Sequence, residues 1–192
     1  MDNILSWKHH IDLLNKKLCM ACYIIRNVKA YMSALSLKMI YHTFFHSAMR
    51  NGIIFWGNLS HSSTIFRLQK KKRQLELWKD VGTVSCRNLF KKLQILSLTS
   101  QCILSLLMFV VQNKNLFSRS TENHNIDTGQ RNNLYLLQAN LTIYQKGAYY
   151  SGIKIINNFP LDIKNVTYNQ KGLKLLWIKF INLLILYNVR VP

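Results

Sequence analysis

Templated phosphoryl transfer needs carboxylates clustered closely enough to clamp two divalent ions about 4 Å apart, so acidic residues are the first place to look for chemistry. The chain has seven: Asp2, Asp12, Glu76, Asp80, Glu122, Asp127 and Asp162. Only Glu76 and Asp80 lie close together, and there is no Asp-Asp pair. Nucleophilic catalysis also lacks its parts. His46-Ser47 and Ser85-Cys86 have neither a glycine-flanked elbow nor a carboxylate to orient a base. Cys19-Met20-Ala21-Cys22 is half of a zinc pattern, with no second Cys-x-x-Cys and no suitably spaced histidine pair to complete it. Helical spacing assigns both of these thiols to a buried stripe. His9 and His10, and His42 and His46 one turn apart, lack an acidic third ligand or the Glu of a His-Glu-x-x-His motif. The expectation is a chain that is not an enzyme by itself and carries no metal site and no cofactor.

Positive charge is the abundant chemistry. Lys and Arg number 26 against those seven acids, a formal charge of +19. Such a surplus makes a compact state repel itself unless a polyanion lies nearby. Nucleic acid and anionic lipid both offer closely spaced phosphates, and salt weakens binding to either. The densest patch is Lys70-Lys71-Lys72-Arg73, followed by Lys91-Lys92. A second group sets Lys146 and Lys154 beside Tyr144, Tyr149 and Tyr150, a mixture that can hold phosphates and stack on unpaired bases. The same residue types also serve plainer roles, as a solvated helix face and as core tyrosines.

The elements that must position these groups read mainly as helices. Hydrophobic residues make up 49% and aromatics 11% of the 192 residues, enough for a core. Ile11, Leu14, Leu18, Ala21, Cys22 and Ile25 recur at steps of three and four, with Lys16, Lys17, Arg26 and Lys29 off that stripe, which predicts a helix starting near Ser6. A second helix is expected from Ser33 to Arg50, with Leu37, Ile40, Tyr41, Phe44, Phe45 and Ala48 inward and Asn51-Gly52 as its stop. The polar stretch 58–64 reads as a loop. A third helix follows from Ile65, keeping Phe66, Leu68 and Leu75 for the core. Leu89, Phe90, Leu93, Leu96 and Leu98 lead into the apolar run Cys102 to Val111, read as a buried helix of the first subdomain.

Leu93 to Val111 carries no charge, but Gln94, Ser97, Thr99, Ser100, Gln101 and Ser105 crowd its first half and leave the apolar part too short for a bilayer. No membrane partner is expected. Met1 to His10 lacks the basic region and apolar core of a signal peptide, which points to an intracellular chain, cytoplasmic or nuclear. Residues 113–133, rich in Asn, Ser, Thr and Arg, read as a linker. Beyond it Leu134 to Leu137, Leu141 to Tyr144 and Gly152 to Ile156 favour strands or extended pieces, interrupted by Gly147, Gly152 and Pro160. A terminal helix is expected over Leu173 to Tyr187. The fold class is therefore mainly α: a helical bundle over residues 1–112, the linker, and a small mixed α/β segment over 134–192.

Several segments, in order, carry a resemblance. Leu5-Ser6-Trp7-Lys8-His9-His10-Ile11 is followed by Lys17-Leu18, Ala21-Cys22-Tyr23 and Ile25-Arg26. Phe45-His46-Ser47, Gly52-Ile53 and Trp56-Gly57 precede Phe66-Arg67-Leu68-Gln69-Lys70-Lys71. Ser85-Cys86-Arg87, Leu89-Phe90-Lys91-Lys92-Leu93 and Ile95-Leu96 come next, then Gln145-Lys146-Gly147, Tyr150, Gly152-Ile153-Lys154, Asn157 and Pro160. This series resembles the thumb and C-terminal region of reverse transcriptases from jockey-like non-LTR retrotransposons of arthropods, and it covers nearly the whole chain. Asn51, Gly129 and Trp78-Lys79-Asp80-Val81 depart from the family pattern, as a decaying copy would. The resemblance implies a truncated remnant of an RNA-directed DNA polymerase, its catalytic aspartates on a palm domain missing from this chain. It further implies a thumb that grips the RNA or RNA/DNA duplex backbone through phosphates without reading sequence. Lys70, Lys71, Lys72, Arg73, Lys91, Lys92, Lys146 and Lys154 are the candidate contacts. Two rivals remain: a basic helical protein lying on anionic lipid, and a helix-turn-helix DNA binder, for which a lysine-dominated third helix is poorly suited to base edges.

Overall fold

The structure is a computed structural model that describes residues 7–70, 90, 93–118 and 133–158. The fold is mainly helical, and no strand occurs among the described residues. The chain divides into two compact units, Met1–Gln101 and Cys102–Pro192.

In the first unit α1 (Lys8–Val28) buries Ile11, Leu14, Leu18, Ala21, Cys22 and Ile25, the stripe that the spacing predicts. Trp7 precedes it, and the Trp7 carbonyl accepts from the Ile11 N–H at 2.9 Å. Ser6, the expected cap, lies outside the described residues. The Cys-x-x-Cys pair splits: Cys22 is buried, while Cys19 is exposed rather than on the stripe. The reason is geometric, since residue 19 sits about 100° around the helix from buried Leu18.

The second helix begins where expected. Ser33 caps α2 (Ala34–Ile40), its Oγ accepting from the Ser36 N–H at 3.2 Å. It then widens into a π stretch, Tyr41–His46, before closing as α3 (Ser47–Arg50). The Ser47 N–H reaches back five residues to the His42 carbonyl. Two hydroxyls occupy carbonyls along this stretch: Thr43 Oγ1 donates to the Met39 carbonyl at 2.9 Å, and Ser47 Oγ donates to the Thr43 carbonyl. The consequence is a change of phase. In an α-helix a four-residue step overshoots one turn by about 40°, whereas the wider π turn brings Leu37, Tyr41, Phe45 and Met49 onto one line. Leu37, Phe45 and Met49 are buried. Phe44, expected inward, is exposed, and Ala48 is only half-buried.

Gly52 ends this helix with φ +63, the left-handed conformation glycine adopts at least cost. Trp56, at the end of α4 (Ile53–Trp56), is fully buried and donates from Nε1 to the Asn51 carbonyl at 2.9 Å. α5 (Ser62–Lys70) starts earlier than Ile65 and buries Ser62, Ile65, Leu68 and Gln69; Phe66 is half-buried, and Leu75 lies outside the described residues. Ile25, Leu37, Phe90 and Ile95 form a further cluster flanked by Val28, Ile40, Tyr41 and Leu93.

α6 (Leu98–Gln112) carries the apolar run and contains the division between the units. That division lies upstream of the segment 113–133, where the sequence places the linker. The reason lies in the core of the second unit: Val110 and Phe117 pack with Leu134, Ile153 and Ile156. Asn157 secures Leu134 at both ends of its backbone, accepting from its N–H and donating to its carbonyl, each at 2.9 Å. Of the expected strands, Leu134 makes a single bridge, while Leu141 to Tyr144 runs into the helical turn α7 (Thr142–Gln145). Gly152 to Ile156 lies within α8 (Ala148–Asn157), helical rather than extended. Burial of Ile153 and Ile156 on one helical face outweighs the β preference of isoleucine. Gly152 is an approach point, not a break: a Cβ there would meet Val110 Cγ2 at 2.7 Å. The expected helix over Leu173 to Tyr187 falls outside the described residues.

Candidate nucleic-acid interface

Three of the eight candidate contacts fall within the described residues. Lys70 is the last residue of α5 and is exposed, its Nζ 4.0 Å from the centroid of Phe66 one turn earlier, a cation–π contact. Arg67 is exposed on the same helix. Lys71, Lys72, Arg73, Lys91 and Lys92 lie outside the described residues. In the second unit Lys146 follows α7 and Lys154 sits on α8, both exposed.

The tyrosines beside them divide by role. Tyr149 stacks on Phe117, ring centroids 4.7 Å apart and 9° between planes, and its hydroxyl donates to the Leu116 carbonyl at 3.3 Å. One face of that ring is thus committed to its own unit. Tyr150 is half-buried, and Tyr144 is exposed.

α5 is positioned by a residue the sequence reading passed over except within a motif. Gln69 is buried; its Nε2 donates to the Leu96 carbonyl at 2.9 Å and to the Tyr41 hydroxyl at 3.3 Å, and its Oε1 accepts from the Leu98 N–H at 2.8 Å. One amide therefore ties the end of α5 to the second helix and to the start of α6. Burial pushes the Tyr41 hydroxyl well above its ordinary pKa, with the Gln69 bond acting the other way.

The π stretch also sets up a feature that helical spacing alone conceals. Lys38, His42, His46 and Arg50 follow one another at four-residue steps, one position on from the buried line. The His42 and His46 rings meet edge to face with centroids 5.2 Å apart. His42 titrates below its ordinary value because of partial burial, with His46 and then Lys38 adding repulsion. Burial likewise lowers His46; its hydrogen bond to Gln101 works in the opposite direction, and Arg50 lowers it further. His46 Nε2 donates to Gln101 Oε1 at 3.1 Å.

Elsewhere, His10 sits edge-on to Trp7 at 5.4 Å and tilted to Trp56 at 6.3 Å, and its Nε2 is buried without a hydrogen-bond partner. Burial, then Lys17, lowers its pKa. Cys102 is buried and its thiol is pushed up to about 12, which makes it inert as a nucleophile near neutral pH. Among the described residues no group of three or more His, Cys, Asp or Glu side chains is placed to hold a metal ion, and no helix is long and apolar enough to cross a membrane. Asp12, exposed on α1, is the lone carboxylate side chain among the described residues. Comparisons of the chain with protein-family models, with curated proteins and with solved structures find no match.

Proposed function

We propose that this chain is a helical module that grips the sugar-phosphate backbone of RNA or an RNA/DNA duplex without reading sequence. It would serve a polymerase of the non-LTR retrotransposon kind whose catalytic carboxylates sit on a separate palm domain. The observation that carries this reading is the charge balance: 26 Lys and Arg against seven dispersed Asp and Glu, with Lys16, Lys17, Arg67, Lys70, Lys146 and Lys154 exposed. Lysine-rich helices are suited to phosphates rather than base edges. The ordered series of segments from Trp7-Lys8-His9-His10 to Asn157 and Pro160 supports the family.

The test is binding of a labelled RNA/DNA duplex across a salt series. A sequence-independent Kd should weaken linearly on a log-log plot, at about 0.9 units of slope for each phosphate neutralised. Replacing Lys70, Lys71, Lys72 and Arg73 together with Ala should flatten the slope by about 3.6 units if each contacts one phosphate. A slope unchanged by that substitution rejects the patch. Strong preference for one duplex sequence would favour the helix-turn-helix rival, and capture by anionic vesicles without duplex binding would favour the lipid-bound one.

A further inference from the structure

The line of basic residues Lys38, His42, His46 and Arg50 runs along the α2–π–α3 helix, and its two central members are imidazoles. We propose that this line is a proton-linked phosphate track: a stretch of phosphodiester backbone lies along it, and His42 and His46 take up protons from solvent as it binds. The inference rests on the nucleic-acid reading above and adds to it a site and the variable that regulates it.

Geometry comes first. On a regular α-helix, four residues at four-residue steps would wind around the cylinder by about 40° at each step. Here the π turn between Tyr41 and His46 offsets that drift: the His42 and His46 rings meet with centroids 5.2 Å apart, Lys38 acts on His42 and Arg50 on His46. A straight row of basic residues, two of them imidazoles that can become charged, matches a linear polyanion better than it matches a single ion.

Among the described residues, the groups around the imidazoles leave the counter-charge to come from outside. His42 faces Lys38, His46 and the edge of Tyr41 at 5.5 Å. His46 faces His42, Arg50 and, from α6, the uncharged Gln101. α1 contributes the buried Cys22 thiol, which acts on Tyr41, and the described carboxylate, Asp12, is on the exposed face of that helix.

Gln101 makes protonation mechanically simple. Its Oε1 can only accept, so His46 carries its neutral proton on Nε2 and an open lone pair on Nδ1. Adding a proton places N–H on Nδ1 as a donor for a phosphate oxygen, while the bond to Gln101 stays as it is. Lys38 and Arg50, charged throughout, attract the polymer, and the phosphates then favour the charged imidazoles.

Each histidine that becomes charged on binding contributes up to about tenfold in Kd per pH unit. The experiment is fluorescence anisotropy of a labelled RNA/DNA duplex with the full chain at about pH 8 and about pH 6, at constant ionic strength. Binding should tighten on acidification, and in His42→Gln/His46→Gln the affinity ratio between the two pH values should shrink by about tenfold or more. His61→Gln, in the loop before α5, should leave that ratio in place. Duplex binding with the same ratio in the double variant overturns the track but not the nucleic-acid reading. Absence of duplex binding at both pH values, with capture on phosphatidylserine vesicles, overturns both. Should the double variant not fold, the imidazole NMR resonances of the unmodified chain decide: their titration should move to higher pH when duplex is added, and identical titration with and without it overturns the track.

Discussion

α1 and the α2–π–α3 helix bury comparable stripes of side chains but treat their cations differently. α1 alternates steps of three and four and stays a regular helix, so its cations, Lys8, Lys16, Lys17 and Arg26, are spread around the exposed surface. The second helix moves in steps of four, 37, 41, 45 and 49, and absorbs the mismatch in a π turn, so the adjacent positions 38, 42, 46 and 50 line up. The difference teaches that the phase of a helix, more than its composition, decides whether basic residues form a diffuse charge or a track.

The comparison breaks most visibly at Phe44 and Phe45. Phe45→Ala should cost about 3–5 kcal/mol in urea unfolding as a buried aromatic, and Phe44→Ala under about 1 kcal/mol as an exposed one. Equal costs would mean that the helix keeps an α register and the track dissolves.

Next in size is the amide that holds Tyr41. Gln69→Ala leaves the Leu98 N–H and the Leu96 carbonyl without that partner and should cost about 1–3 kcal/mol. A neutral result in the same unfolding assay would show that Tyr41 and the start of α6 hold their places independently.

Acid sharpens the contrast without any substitution. His10, His42 and His46 all have pKa values lowered on folding, so the unfolded chain binds their protons more tightly. Their contribution to stability is present above the ordinary histidine pKa of 6.5 and is lost as pH falls through the lowered values. The thermal midpoint should therefore drop between about pH 7 and about pH 5. Saturating duplex should oppose that drop through the second helix, and His42→Gln/His46→Gln should reduce it to the part due to His10.

The smallest effect compares the two sets of cations directly. Lys38→Gln/Arg50→Gln should lower the salt slope of duplex binding by about 2 units, whereas Lys16→Gln/Lys17→Gln should lower it by about 1. Neighbouring residues on a regular helix point about 100° apart and cannot both lie along one backbone. Equal losses would place α1 on the same footing as the track.

Much of the fold was legible from local pattern. The α1 stripe follows from apolar spacing, the second helix's start from Ser33, and its end from Asn51-Gly52, because caps and stops are short-range features. Lys70 was legible as part of a basic run. The π turn was not, since the hydroxyl bonds that Thr43 and Ser47 make to carbonyls of their own helix fit a regular helix as well, and burial of Phe45 selects the phase. Nor was α8, where isoleucines that favour strands become helical once Val110 and Leu134 offer a face to bury them.

By itself, the amino-acid sequence determined the sign and size of the charge, the lack of clustered carboxylates and the buried face of α1, all properties of residue type and near-neighbour spacing. Tertiary structure alone decided that Gln101 meets His46, that Gln69 joins three segments, and that four basic residues share one line. Those outcomes depend on contacts between residues far apart in the chain, where packing selects one helical phase over another that local preference allows equally.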